Sequence, residues 1–225
     1  MLFDMSNFFY HFYFFPFIYT SVILITSLYV NNDIIIKKFM DYFIIPALII
    51  AYYYTIPKYN IYVILYLILH WFGEISFKYK QTYNLGFILY WIGNIINLQQ
   101  IYIKIKYVNY FTFAYIILIT FPIIIFYGTI KFSKFLTVFF HLIFYIYIFP
   151  TYLMVVFSIK IFIEDYNFIN AILIIGCLLY IASNLYTFCL NFCYNFNLSI
   201  FKINTTYLVG QFFIVNWFCL SIYNI

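Results

Sequence analysis

The stretch FLTVFFHLIFYIYIFPTYLMVVFSI, residues 135–159, runs for 25 residues without a formal charge. A helix needs about 20 predominantly apolar residues to cross the hydrocarbon of a bilayer, and this run is long enough. It is not isolated. Hydrophobic residues make up 68% of the 225-residue chain and charged ones 8%, with a mean hydropathy of +1.01. Ordinary soluble domains run near ~45–50% apolar and about 25% charged. Eleven lysines, six acidic residues and no arginine cannot cover a water-facing surface. The composition therefore predicts an integral membrane protein.

The same arithmetic excludes other classes. Disorder needs low hydrophobicity and high charge. A nucleic-acid binder needs a clustered basic face, whereas these lysines arrive in ones and twos. The net charge of +5 reads instead as loop lysines, the usual topology signal of membrane proteins. The 32 Phe and 28 Tyr, with many Ile, Asn and Lys, look like the codon bias of an AT-rich genome. A single aromatic ring therefore carries little functional weight.

Cutting the chain at its charges gives eight candidate spans: Phe8–Val30, Phe39–Ile56, Ile61–Phe77, Tyr83–Ile103, Tyr107–Gly128, Phe135–Ile159, Phe168–Phe188 and Ile203–Ile222. Uninterrupted apolar runs favour helices over a barrel, whose strands would alternate. The connectors are short, as in Asn31–Lys38, Pro57–Asn60 and Lys78–Thr82, which implies antiparallel neighbours. An all-α, polytopic bundle forming one domain over residues 1–225 is expected. The first span has no Lys or Arg in its flank Met1–Asn7 and no A-x-A-like site after it, so it is kept as a helix rather than a cleaved leader. Odd-numbered loops carry Lys37, Lys38, Lys78, Lys80, Lys131, Lys134 and Lys202; the other side has Lys58, Lys104, Lys106 and Lys160 with Glu164 and Asp165. That balance puts the odd loops in the cytoplasm and both termini outside, in the cell membrane.

Intramembrane ionisable groups are costly, so each is a candidate site residue. Of the charged residues only Asp41 and Glu74 fall inside the spans. Asp41 opens the second span, where its carboxylate would also favour a helix N-terminus. Glu74 closes the third, with His70 and Lys78 four residues to either side and so on one helical face. It is either an interfacial partner of Lys78 or a carboxyl able to serve as general acid. His70 and His141 read as hydrogen-bonded packing residues with proton transfer as the alternative, and His11 as interfacial. Asn94, Ser183, Asn184 and Gln211 add uncharged polar groups at compatible depth from one side, either as a pocket or as interhelical glue. Cys177, Cys189, Cys193 and Cys219 lie in or beside spans and read as buried thiols. Cys189 and Cys193 share a helical face but lack a second ligand pair, so neither a metal nor a cofactor is expected.

These residues carry a family resemblance. Gly73-Glu74, then Gly86, Tyr90, Asn94 and Asn97, then Gly176, Tyr180, Ser183 and Asn184, then Tyr207, Gln211 and Ile214 resemble, in order and spacing, the motifs of the YhhN family, which includes the lysoplasmalogenases. Pro46 fits a proline common in that family's second helix, although the preceding Lys-Pro-Leu is replaced by Asp41-Tyr42-Phe43. The likeness is strongest over residues 39–222. It implies eight spans and hydrolysis of the vinyl-ether bond of a lysophospholipid-type membrane lipid. Carried across position by position, it puts Glu74, Asn184 and Asn94 in catalytic places, with Gln211, Tyr207, Ser183 and Asp41 around the substrate. Three positions depart from the family: its first Asp is Glu74, its His is Asn94 and its second Asp is Asn184. A member that binds lipid or acts as a scaffold without turnover is the alternative. A small-solute transporter ranks behind both, since the polar groups gather on one side. Oligomeric state is not written in the sequence.

Overall fold

The computed structural model describes residues 34–56, 58–77, 79, 81–105, 120, 138–192 and 200–223. Six helices account for nearly all of them: α1 (Ile34–Thr55), α2 (Ile61–Phe77), α3 (Tyr83–Tyr102), α4 (Val138–Glu164), α5 (Phe168–Phe192) and α6 (Ile200–Tyr223). No strand occurs among the described residues. The all-helical expectation is met. The expected spans Phe8–Val30 and Tyr107–Gly128 lie outside the described residues except at Thr120, where a single helical residue is described. Two stretches, Tyr145–Glu164 and Phe168–Thr187, are long and apolar enough to cross a membrane.

The helices overlap the charge-cut spans but several overrun them: α1 starts at Ile34 and takes in Lys37 and Lys38, α5 runs on to Phe192, and α6 starts at Ile200 and takes in Lys202. The third span begins and ends where α2 does. The sixth was expected to stop at Ile159, but α4 continues to Glu164. Lys160 and Glu164 stand four residues apart and pair at 3.3 Å, so the charges that marked a loop instead support the last turn.

Each helix packs against its neighbour in sequence among those described, and α6 returns to α1, closing a ring. Short capped connectors hold this order. Asn60 accepts the backbone N–H of Tyr62 at 2.9 Å, capping α2, and its amide donates to Gln100 of α3 at 2.6 Å. Asn167 likewise accepts the N–H of Asn170 at 2.8 Å at the start of α5. Small residues allow close approach. A Cβ on Gly210 of α6 would stand 2.9 Å from the backbone nitrogen of Tyr180 and 3.1 Å from the carbonyl oxygen of Gly176, both on α5.

The distribution of polarity is inverted relative to a water-soluble bundle. Ile61, Leu65 and Phe72 on α2, Leu85, Ile88 and Ile95 on α3, and Ile175 and Leu178 on α5 are exposed. On the inward faces of the same helices His70, Asn94, Asn97, Ser183 and Asn184 are buried.

Two prolines sit inside helices, Pro46 in α1 and Pro150 in α4. Proline has no N–H, so the carbonyl four residues earlier loses its helical partner. Those carbonyls belong to Tyr42 and Ile146. Each is claimed by an indole of the adjacent helix: Trp71 Nε1 donates to Tyr42 O at 2.9 Å, and Trp91 Nε1 donates to Ile146 O at 3.0 Å. The proline interruptions thereby become interhelical bonds instead of orphaned acceptors. Replacing Trp91 by Phe should destabilise the protein by about 1–2 kcal/mol in denaturant titration, because a carbonyl loses its donor. In a Pro150→Ala background, where the helix supplies its own N–H, the same change should have a clearly smaller effect.

Candidate functional site

Four helices bring polar side chains to one interior point. His70 of α2 is fully buried at its centre. Its imidazole lies between two phenol rings, Tyr90 of α3 at a centroid distance of 4.6 Å and Tyr180 of α5 at 5.7 Å, nearly parallel to both. Tyr66, one turn earlier on α2, meets it edge-on at 5.3 Å. Glycines make this possible. A Cβ on Gly93 would stand 2.7 Å from His70 Cδ2, and one on Gly73 would run into the ring of Tyr90. Each helix of the α2–α3 hairpin thus leaves a gap where the other inserts a ring.

The hydrogen bonds through His70 have a direction. Tyr66 donates to Gln211 Oε1 at 3.1 Å. The other end of the Gln211 amide, Nε2, donates to His70 Nδ1 at 2.8 Å. An amide nitrogen only donates, so Nδ1 accepts and the imidazole proton sits on Nε2. From there Nε2–H donates to the Tyr180 oxygen at 3.3 Å, and the Tyr180 hydroxyl donates to Asn94 Oδ1 at 2.6 Å. The chain runs Tyr66, Gln211, His70, Tyr180, Asn94, and every member is buried.

Glu74 sits one turn beyond His70 on the same face of α2. It is partly buried, and the Tyr90 hydroxyl donates to its Oε1. Tyr207 of α6 also lies within electrostatic reach of this carboxyl, and its ring faces those of Tyr90 and Tyr180 at 6.1 and 6.0 Å. On α5, Asn184 accepts from Tyr147 of α4 at 3.5 Å through its Oδ1.

Several buried polar atoms here have no hydrogen-bond partner among the described residues: Asn94 Nδ2, Asn184 Nδ2, the Tyr207 hydroxyl, and both amide atoms of Asn97, one turn beyond Asn94. Most buried polar groups in folded proteins are satisfied. Asn94, Asn184 and Tyr207 depart from that norm within one neighbourhood of the bundle.

Glu74, Asn94, Asn184, Gln211 and Tyr207, all chosen from the sequence, come together around this point. Ser183 does not join them: its hydroxyl donates to the Ile203 carbonyl of α6 at 3.2 Å, tying two helices. Asp41 falls on α1 and His141 on α4, but their side chains lie outside the described residues, as do Lys78, the alternative partner of Glu74, and His11. Cys177 and Cys219 are buried thiols; Cys189 falls on α5 with its side chain outside the described residues, and Cys193 lies outside them altogether. The sequence reading placed His70 among packing residues and gave no role to Tyr66, Tyr90 or Tyr180. His70 proves to be the node of the network. The four-residue spacing from His70 to Glu74 was its only sequence signal.

Compared with protein-family models, curated proteins and solved structures, the chain matches none.

The network dictates a measurable proton position. In nitrogen-resolved NMR of histidine-labelled protein, with His70→Phe used for assignment, the His70 signal should report a protonated Nε2 and a bare Nδ1. A protonated Nδ1 would mean that the chain runs the other way.

Proposed function

We propose that this chain is a multi-pass membrane protein of the YhhN type, with eight spans in the cell membrane and both termini outside. Its interior site would hydrolyse the vinyl-ether bond of a lysoplasmalogen-type lipid. The apolar exterior of the ring and the two membrane-length helices support the membrane part. The hydrogen bond from Tyr90 to Glu74 carries the chemical part.

A vinyl ether is cleaved by protonating its β-carbon. In this scheme the Glu74 carboxyl gives up that proton, and the electron pair of the double bond forms the new C–H bond. The ether oxygen shares its lone pair to give an oxocarbenium ion. The carboxylate left behind receives the Tyr90 hydroxyl as a charge-assisted donor. A water then attacks the oxocarbenium carbon and returns a proton to Glu74. The resulting hemiacetal collapses: its hydroxyl proton passes to the departing glycerol oxygen, the C–O bond breaks, and the aldehyde leaves. Glu74 ends as it began, and no cofactor is needed. Asn94 and Asn184 orient water or lipid, and Gln211 holds His70 in place.

The neutral side chains at 94 and 184 favour a second reading, a member that holds lipid without turnover, because Glu74 is then the one carboxyl available among the grouped residues.

Aldehyde release from lysoplasmalogens, followed by mass spectrometry on purified protein, separates the two. Turnover should fall at least about 100-fold in Glu74→Gln, as expected for loss of a general acid, and about tenfold in Tyr90→Phe. Full activity in Glu74→Gln would end the assignment; no aldehyde from any lysoplasmalogen would leave lipid binding. Topology is tested separately. An impermeant thiol reagent should label a cysteine added at either terminus of intact cells, and should miss one placed in the loop at Gln81.

A further inference from the structure

We propose that Asn94 and Asn184 form an uncharged two-amide clamp for the carbonyl oxygen of a long-chain lipid. Both asparagines are arranged alike. Each offers its Oδ1 to a tyrosine hydroxyl, Asn94 to Tyr180 and Asn184 to Tyr147. Each is left with an Nδ2 that donates to nothing among the described residues, although the two side chains are almost completely buried. The direction of the His70 chain enforces this at Asn94. Because Tyr180 must donate onward, Asn94 can only accept from it, and its N–H groups face away.

The two amides flank one hydroxyl. Asn94 bonds to Tyr180 directly at 2.6 Å. Asn184 is four residues along α5 from Tyr180, so the two share a helical face. The Tyr207 hydroxyl, from a ring 6.0 Å from that of Tyr180, is a third unpartnered group at the same spot.

The chemistry of the ligand follows from what is offered. Amide N–H groups seek an oxygen acceptor. Among the described residues the cluster carries no positive charge: Lys58 and Lys104 lie at the opposite ends of α2 and α3 from Glu74, and Lys160 is paired with Glu164. An anionic headgroup placed here would meet the Glu74 carboxyl. A neutral carbonyl suits the two amide donors, and the tilted rings of Tyr90, Tyr180 and Tyr207 give the spot an apolar wall. In the reaction described above that carbonyl is the product aldehyde. Only this last identification rests on the enzymatic reading; the clamp stands on the open amides.

An inert long-chain methyl ketone, isotopically labelled at its carbonyl carbon, is the probe. It is titrated into the purified full-length protein in a maltoside detergent and followed by isotope-edited infrared spectroscopy. A saturable carbonyl band, displaced to lower wavenumber than in detergent alone, is expected. Asn94→Leu and Asn184→Leu should each weaken binding about tenfold, the loss of one hydrogen bond to a buried acceptor, and move the band back. Ser158→Ala, whose hydroxyl donates to the Val155 carbonyl of its own helix, should leave both unchanged. If Asn94→Leu does not fold, Asn184→Leu decides. A band that stays at the detergent position, or variants that bind like the parent with an unmoved band, overturn the clamp. Ketone binding without aldehyde release from lysoplasmalogen removes the enzymatic reading and keeps the clamp. Aldehyde release without the shifted band does the reverse.

Discussion

Inside a bundle whose outer faces are apolar, a polar atom has no water to fall back on. An amide or hydroxyl moved into such surroundings without a partner loses several kcal/mol on transfer scales, on the order of 4–8 kcal/mol into a liquid alkane. Most of this structure can be derived from the need to avoid that loss. It explains why the prolines of α1 and α4 stand opposite indoles, why Asn60 reaches across to Gln100, and why Ser183 bonds a carbonyl on the next helix. It also explains the packing of His70, whose two nitrogens are both engaged and whose two faces are both covered by rings.

Against that background, satisfied and unsatisfied amides mean different things. Asn60, Gln100, Asn170 and Gln211 bond to named partners and hold helices together. Asn94 and Asn184 use only their acceptor ends for that purpose. The chain of donors that begins at the Tyr66 phenol and passes through the His70 imidazole ends at Asn94 Oδ1.

The elements were far more legible in the sequence than the site. Charges cut the chain correctly at both ends of α2, because a formal charge is stable only near water. The rule failed at Lys37, Lys38 and Lys202, which lie inside α1 and α6, and at Lys160, which pairs with Glu164 one turn on within α4. Site legibility depended on residue type. Glu74, Asn94, Asn184 and Gln211 stood out as rare polar letters in apolar text. Tyr66 did not, one of 28 tyrosines, and Tyr90 and Tyr180 entered only as positions of the family motif, without a role. The role of His70 was out of reach for a different reason. Its partners Tyr180 and Gln211 lie 110 and 141 residues away, and no periodicity encodes a contact of that range.

The three tryptophans give the molecule an unplanned set of gauges. Trp71 bonds α2 to α1, Trp91 bonds α3 to α4, and Trp217 bonds α6 to Asn170 of α5 at 2.9 Å. The sequence contains no others. Three of the five sequential helix pairs thus carry a chromophore at the seam. The ultraviolet emission of the unlabelled protein is therefore a sum of three docking signals, and removing any single indole silences one seam while leaving the other two to be heard.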